Sequence, residues 1–194
     1  MDERVTKTLN EMFHDRGYDV SNIETQDSKM VIANHINVYI INDAKVGVNH
    51  MKDIRTELTT SSIKYVIIVY SFNVTSFAKQ AIEEMKKDGY TVELFKNSEL
   101  YFNITHHDLV PPHRLLSVDE KAALLKKYRI RPVNLPCIKQ NDAVAKYMGL
   151  KPGDVVEITR ASEISDVSLY YRICTCLGCT CVECRCAEKN NRIN

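Results

Sequence analysis

The chain has 194 residues, 44% of them hydrophobic and 26% charged, with a formal net charge of +1. That balance is ordinary for a globular protein and argues against a stand-alone nucleic-acid binder, which carries a strong basic excess. No apolar run approaches the ~20 residues needed to span a bilayer, and the opening MDERVTKTLNEM lacks the apolar region of a signal peptide. An intracellular protein with reduced cysteines and no membrane partner is expected. The length suits one large domain or two small ones, and a single domain of this size would bury roughly 70% of its unfolded surface.

Val5, Leu9, Met12 and Phe13 form the apolar face of a first helix. Gly17 is placed to stop it, and Tyr18 to pack back on its last turn. Residues 21–29 are polar and read as a loop, whereas residues 30–41 are β-branched and read as one strand. Asn42-Asp43 begins a turn, and Met51, Ile54 and Leu58 predict an amphipathic helix. The run IKYVIIVY over residues 63–70 suits a strand buried on both faces of a parallel sheet. Thr75 or Ser76 can cap the next helix, with Phe77, Ala78, Ala81, Ile82 and Met85 inward. Gly89 ends that helix, and residues 91–95 form another strand. This alternation predicts an α/β domain with a crossover sheet and helices on its faces.

The boundary to a second region should lie within residues 99–112, where Pro111-Pro112 biases Val110 away from helix. Ser117 three residues before Glu120 is a capping box. Ala122, Leu125 and Tyr128 follow on one face, with Leu124 beside them. Lys126, Lys127, Arg129 and Arg131 crowd the helix end, where cations suit the dipole, and Pro132 prevents continuation. A short helix should run from Asp142 to about Met148, closed by Gly149. Lys151-Pro152-Gly153-Asp154 is a turn. Residues 155–160 and 169–174 are the strands of a hairpin. Leu169, Tyr171 and Ile173 share its inward face, and Tyr170 and Arg172 the other.

Four pieces of this second region, NITHHDLVPPH, DEKAALLKKYRIRPVNLPCI, DAVAKYMGLKPGDVVEI and SLYYRIC, resemble in order and spacing the fifth shared subunit of eukaryotic RNA polymerases, a family with archaeal members. EMFHDRGYDV, DAKVGVNHMKDI and VIIVYSFNVTSFAKQ resemble landmarks of the same family more weakly. The resemblance implies a jaw-like α/β domain with a nuclease-like sheet over residues 1–100. It implies a small α+β assembly domain over residues 101–174, leaving residues 175–194 as a cysteine-rich tail. The implied function is a non-catalytic subunit of a DNA-directed RNA polymerase. It would anchor on the largest subunit and shape the jaw beside downstream duplex DNA. The resemblance implies that Thr105, His106 and His107 belong to an interdomain motif that packs or contacts the largest subunit, and Tyr147, Arg160 and Arg172 are the further candidate partner-binding residues. A jaw shorter than the cellular versions suggests a large DNA virus, acting in the host cytoplasm or virion, as against the nucleus for a cellular protein.

Alternative chemistries find little material. Nuclease activity on such a sheet needs carboxylates at adjacent strand ends to hold a divalent ion. The central strand has none, Glu93 stands alone on the next, and Asp43 is isolated in a turn. His106 and His107, read as extended, point to opposite faces and cannot share one ion. The basic run over residues 121–131 could follow phosphates, but the solvated face of a helix is the heavier reading. In the tail, six cysteines fall between Cys174 and Cys186. Cys176, Cys179, Cys181 and Cys184 are the candidate zinc ligands of a cysteine-rich metal-binding module. The long loop that separates two C-x-x-C knuckles in zinc ribbons is missing, so a thiol-rich tail without a fold is preferred and no cofactor is expected.

Overall fold

A computed structural model describes residues 2–20, 23–26, 29–32, 36–43, 45–61, 63–162 and 166–176. The chain divides into two compact units, Met1–Asn103 and Ile104–Asn194. Asn103 belongs with the first because its side-chain amide donates to Glu11 at 3.0 Å.

The first unit opens with α1, Glu3–Asp15, capped by the Asp2 carboxylate on the Arg4 N–H. It buries Val5, Leu9, Met12 and Phe13. Gly17 takes φ +80°, which lets the Gly17 and Tyr18 amides cap the carbonyls of His14 and Phe13, each at 2.9 Å. Tyr18 then packs edge-on against Phe13, with ring centroids 6.1 Å apart.

A five-stranded sheet follows, built from β1 (Ile23–Gln26), β2 (Lys29–Ile32), β3 (Ile36–Ile41), β5 (Tyr65–Tyr70) and β7 (Thr91–Lys96), in the order β1-β2-β3-β5-β7. Between β3 and β5 lie β4 (Lys45–Val46) and α2 (Val48–Ser61), and between β5 and β7 lie β6 (Asn73–Val74) and α3 (Ser76–Lys87). The short strands β4 and β6 pair parallel with each other. β5 is central, parallel to both β3 and β7, and residues 66–69 are fully buried. Such two-sided burial is what its unbroken apolar run requires.

The sequence reading changes at one edge of this sheet. Instead of one strand over residues 30–41, the chain reverses, so that Ile32 pairs antiparallel with Ile36. Residues 23–26, read as loop, add a further strand. β3 matches the six residues of β5 in register, and a longer straight strand would overshoot its neighbour. Edge strands commonly carry polar side chains, which discourage pairing with another chain.

Met51, Ile54 and Leu58 of α2 and Ala78, Ile82 and Met85 of α3 pack with Tyr39, Val66, Ile68 and Val92 on one face of the sheet. Thr75 caps α3 by accepting the Ala78 N–H at 3.2 Å. Phe77, expected inward, is 73% exposed. At 100° per residue it lies about a quarter-turn from the face centred on Ala78, Ile82 and Met85.

The second unit contains a 3₁₀ turn (Ile104–His106), β8 (His113–Leu115), α4 (Val118–Tyr128), a second 3₁₀ turn (Pro132–Asn134), β9 (Cys137–Lys139), α5 (Ala143–Tyr147), β10 (Val155–Ser162) and β11 (Asp166–Thr175). Its sheet has the order β8-β10-β11-β9, antiparallel except where β9 joins β11. Alternation along β10 and β11 feeds two cores. Val155 and Ile173 meet Leu116, Leu124 and Leu135 on the α4 side. Val156, Ile158 and Cys174 meet Ile138, Ala145 and Leu150 on the α5 side.

Three expectations for this unit are corrected. The inward face of α4 centres on Leu124, while Ala122 is exposed and Tyr128 is 52% exposed. Leu169, expected inward, is 52% exposed, because the buried clusters on its face reach only as far as Ile173, with Tyr171 at their edge. The strand also continues one residue past Cys174. Thr175 is buried, and its carbonyl accepts the Gln140 N–H at 3.0 Å.

The capping box of α4 forms as expected. Ser117 Oγ accepts the Glu120 N–H at 3.2 Å, and Glu120 accepts the Ser117 N–H at 2.8 Å. Arg114 adds a charged bond to Glu120 at 2.7 Å. The Ser117 backbone N–H and then Arg114 lower the Glu120 pKa to about 2 from an ordinary 4.5. A depressed carboxylate contributes stability above its unfolded pKa and loses it as pH falls through the folded one. Glu120→Gln should therefore melt below wild type at neutral pH. The gap should close between pH 4.5 and about 2. Melting curves of both proteins across that window check it, and a gap independent of pH would show that the charge plays no part.

Candidate interaction surface

The carboxylates weighed for metal chemistry are otherwise engaged. Glu93 on β7 accepts from Arg16 Nη2 at 3.0 Å and from Tyr65 Oη at 2.6 Å, while Arg16 Nη1 also donates to Tyr65 Oη at 2.6 Å. Burial and then the Glu93 charge push the Tyr65 hydroxyl pKa well above its ordinary value. Asp43 lies 2.7 Å from His50 Nε2, and the Gly47 N–H donates to His50 Nδ1 at 3.3 Å. Those two contacts select the neutral tautomer with its proton on Nε2. Glu93 is level with Ile67 in the middle of β5, whereas Asp43 lies beyond the β3 end that pairs with Tyr70. The strand rise puts roughly 10 Å between the Ile67 and Tyr70 levels alone, and Asp43 lies farther still. A magnesium-dependent nuclease reading therefore gains no support from this sheet.

In the second unit, the segment holding Thr105, His106 and His107 is a tight turn, not the extended chain that was expected. Both histidines are exposed, Thr105 is half-buried, and His107 Nδ1 accepts the Leu109 N–H at 3.1 Å. The opposite-face argument against a shared ion does not apply to this geometry. Among the described residues, no group of three or more His, Cys, Asp or Glu side chains could hold a metal. The turn packs on α5. Tyr147, on α5, is only 5% exposed, so its ring fills the interior of the unit.

Arg160 and Arg172 lie on the sheet face that α5 covers, together with Val156 and Ile158. The Arg160 guanidinium stands 5.1 Å from the centroid of the Tyr170 ring, a cation–π contact. Arg172 Nη1 donates to the Cys137 carbonyl at 3.3 Å. The fold thus gathers the turn at residues 104–106, α5, Arg160 and Arg172 on one side of the sheet. Tyr170, half exposed, joins them. Alternation alone put Tyr170 on the face of Arg172, but its pairing with Arg160 requires the hairpin register, with Ile158 opposite Tyr170 and Arg160 opposite Ser168.

On the opposite face, Arg114 bridges Glu120 and Glu157, and Glu157 also accepts the Tyr171 hydroxyl at 3.1 Å. Of the candidate zinc ligands, Cys176 is half-buried just after β11. Cys179, Cys181 and Cys184 lie outside the described residues.

Residues 102–174 match the family model described as RNA polymerase Rpb5, C-terminal domain. The chain is 35% identical over 188 residues to "DNA-directed RNA polymerases I, II, and III subunit rpabc1" of Dictyostelium discoideum, an alignment covering 88% of this chain and 95% of that one. It is 34% identical over 198 residues to the RPABC1 subunit of Caenorhabditis elegans, covering 88% and 93%. The Caenorhabditis briggsae subunit gives the same identity and coverage.

Proposed function

The chain belongs to the Rpb5 family of non-catalytic RNA polymerase subunits, and on that premise we propose that it is a structural subunit of a multisubunit DNA-directed RNA polymerase, anchored through its C-terminal unit. The observation that carries the reading is coverage: the likeness spans 95% of a relative's length, so it takes in both units and not the C-terminal one alone. In this reading the C-terminal unit docks on the largest polymerase subunit. The N-terminal α/β unit forms part of the jaw beside incoming duplex DNA. Nucleotide addition and its metal ions belong to the large subunits.

The exposed His106 and His107, the half-buried Thr105 and the arginines Arg160 and Arg172 supply the contact side of the C-terminal unit. Arg160 and Tyr170 are exposed and Arg172 half-buried, and arginine and tyrosine are enriched at protein interfaces. The protein works wherever its polymerase works: the nucleus for a cellular enzyme, or the host cytoplasm and virion for the version encoded by a large DNA virus. The reading needs no cofactor.

Affinity purification of the tagged full-length protein should recover the largest polymerase chain. A piece beginning near Tyr101 should still recover it, and residues 1–100 alone should not. Recovery by residues 1–100 and not by the C-terminal piece would reverse this division of roles.

A further inference from the structure

We propose that the α4 side of the C-terminal sheet is a second docking surface, shaped for an extended polymerase segment that is apolar at its centre and acidic at its rim. The inference rests on the subunit reading above and adds a surface on the face opposite Arg160 and Arg172.

Val167, Leu169 and Tyr171 are alternate residues of β11 and project from one face. Val167 is 56% and Leu169 52% exposed, and Tyr171 is half-buried. Tyr128, at the end of α4 and 52% exposed, extends the row by ring contact with Tyr171 at 6.3 Å. A contiguous apolar row left in water on a small unit marks a contact site more often than chance exposure. The backbone beside it is open as well. β9 pairs only with residues 173–175 of β11, so among the described residues no strand lies beside the stretch from Leu169 to Arg172 on that edge. An extended chain can add there by main-chain hydrogen bonds.

Charge selects the occupant. Lys126, Lys127, Arg129 and Arg131 surround Tyr128 in sequence, and all are exposed. None of the four has an ion pair among the described residues, and Lys127 stands 5.5 Å from the Tyr128 ring centroid. Glu157, an acid on this face, is already bound to Arg114 and Tyr171. A second copy would set these cations against themselves. The chain's own residues 177–194 carry Glu183 and Glu188 against Arg185, Lys189 and Arg192, two acids to three bases, so they do not neutralise the rim either. A partner segment with acidic side chains does.

The test uses the tagged full-length protein, with the largest polymerase chain quantified in the purified complex. Leu169→Asp places a charge in the apolar row at an exposed position and should lower recovery about tenfold with an unchanged melting temperature. Lys126→Glu with Lys127→Glu should lower it several-fold, and wild-type recovery should fall as salt is raised. Arg160→Glu, on the other face, serves as comparison. If wild type recovers no polymerase, the subunit reading falls and this inference with it. If wild type and both α4-side variants recover it equally, this inference alone is overturned. Unchanged recovery with lost duplex-DNA binding in the double-lysine variant would reassign the surface to nucleic acid. Unchanged recovery with a broken dimer in sedimentation would reassign it to a second copy.

Discussion

A chain ending at Ser168 should lose both the fold of its C-terminal unit and its polymerase association, whereas one ending at Cys176 should keep both. Among the described residues β11 is the only strand paired with β9, and it forms an eight-pair ladder with β10 running from Val155 opposite Ile173 to Ser162 opposite Asp166. Removing its second half takes Ile173 from one core and Cys174 from the other. Burial of a side chain such as Ile173 contributes about 1.5–3 kcal/mol, and each ladder group left buried and unpaired costs about 1–3 kcal/mol. A few such losses exceed a total stability of about 5–15 kcal/mol.

Beyond Cys176, the apolar residues Leu177, Val182 and Ile193 are scattered among polar ones. So sparse an apolar content gives the sequence little with which to add to the stability of the fold. The shorter cut should therefore move the melting temperature by no more than ~2 °C, as expected for a change of a few tenths of a kcal/mol. Melting curves of both truncations, with and without a zinc chelator, decide the matter. A large drop on removing only residues 177–194, reproduced by the chelator in the full-length protein, would make Cys179, Cys181 and Cys184 structural metal ligands.

The parts legible in the sequence share a local cause. Gly17 with Tyr18, Thr75 ahead of α3, and Ser117 with Glu120 are each settled within a few residues. The unbroken run over residues 65–70 announces a central strand by itself. What escaped depends on distant partners. Alternation correctly put Leu169, Tyr171 and Ile173 on one face, yet it cannot say how far the covering cluster reaches, and it stops short of Leu169. Helical periodicity placed Phe77 and Tyr128 among inward residues because each borders an apolar face. Only the neighbouring elements decide whether the border is covered. The reversal between β2 and β3 escapes because strand composition continues on both sides of it, and β1 escapes because its residues are polar. The contact side was legible through family motifs, but its gathering on one sheet face needed the register of β10 and β11.

Arg16→Ala should destabilise the N-terminal unit by about 3 kcal/mol, the lower end of the range for removing one partner of a buried ion pair. Its side chain is 6% exposed and that of Glu93 22%, so the pair is shielded without being dry. Arg16 stands at the end of α1, and through Tyr65 and Glu93 it ties that helix to β5 and β7, elements 49 and 77 residues away in sequence. No local signal announces such a link. Without the guanidinium, Glu93 retains Tyr65 as donor but loses its countercharge, and the end of α1 loses its tie to β5 and β7. For a unit of this size each kcal/mol shifts the melting temperature by about 4–8 °C, so a fall of at least ~10 °C is expected. Most of the loss comes from stranding a charge, so Glu93→Gln added to Arg16→Ala should restore part of the stability. A double-mutant cycle measured by thermal melting isolates that coupling. Equal losses from Arg16→Ala with and without Glu93→Gln would show that Arg16 acts through packing alone.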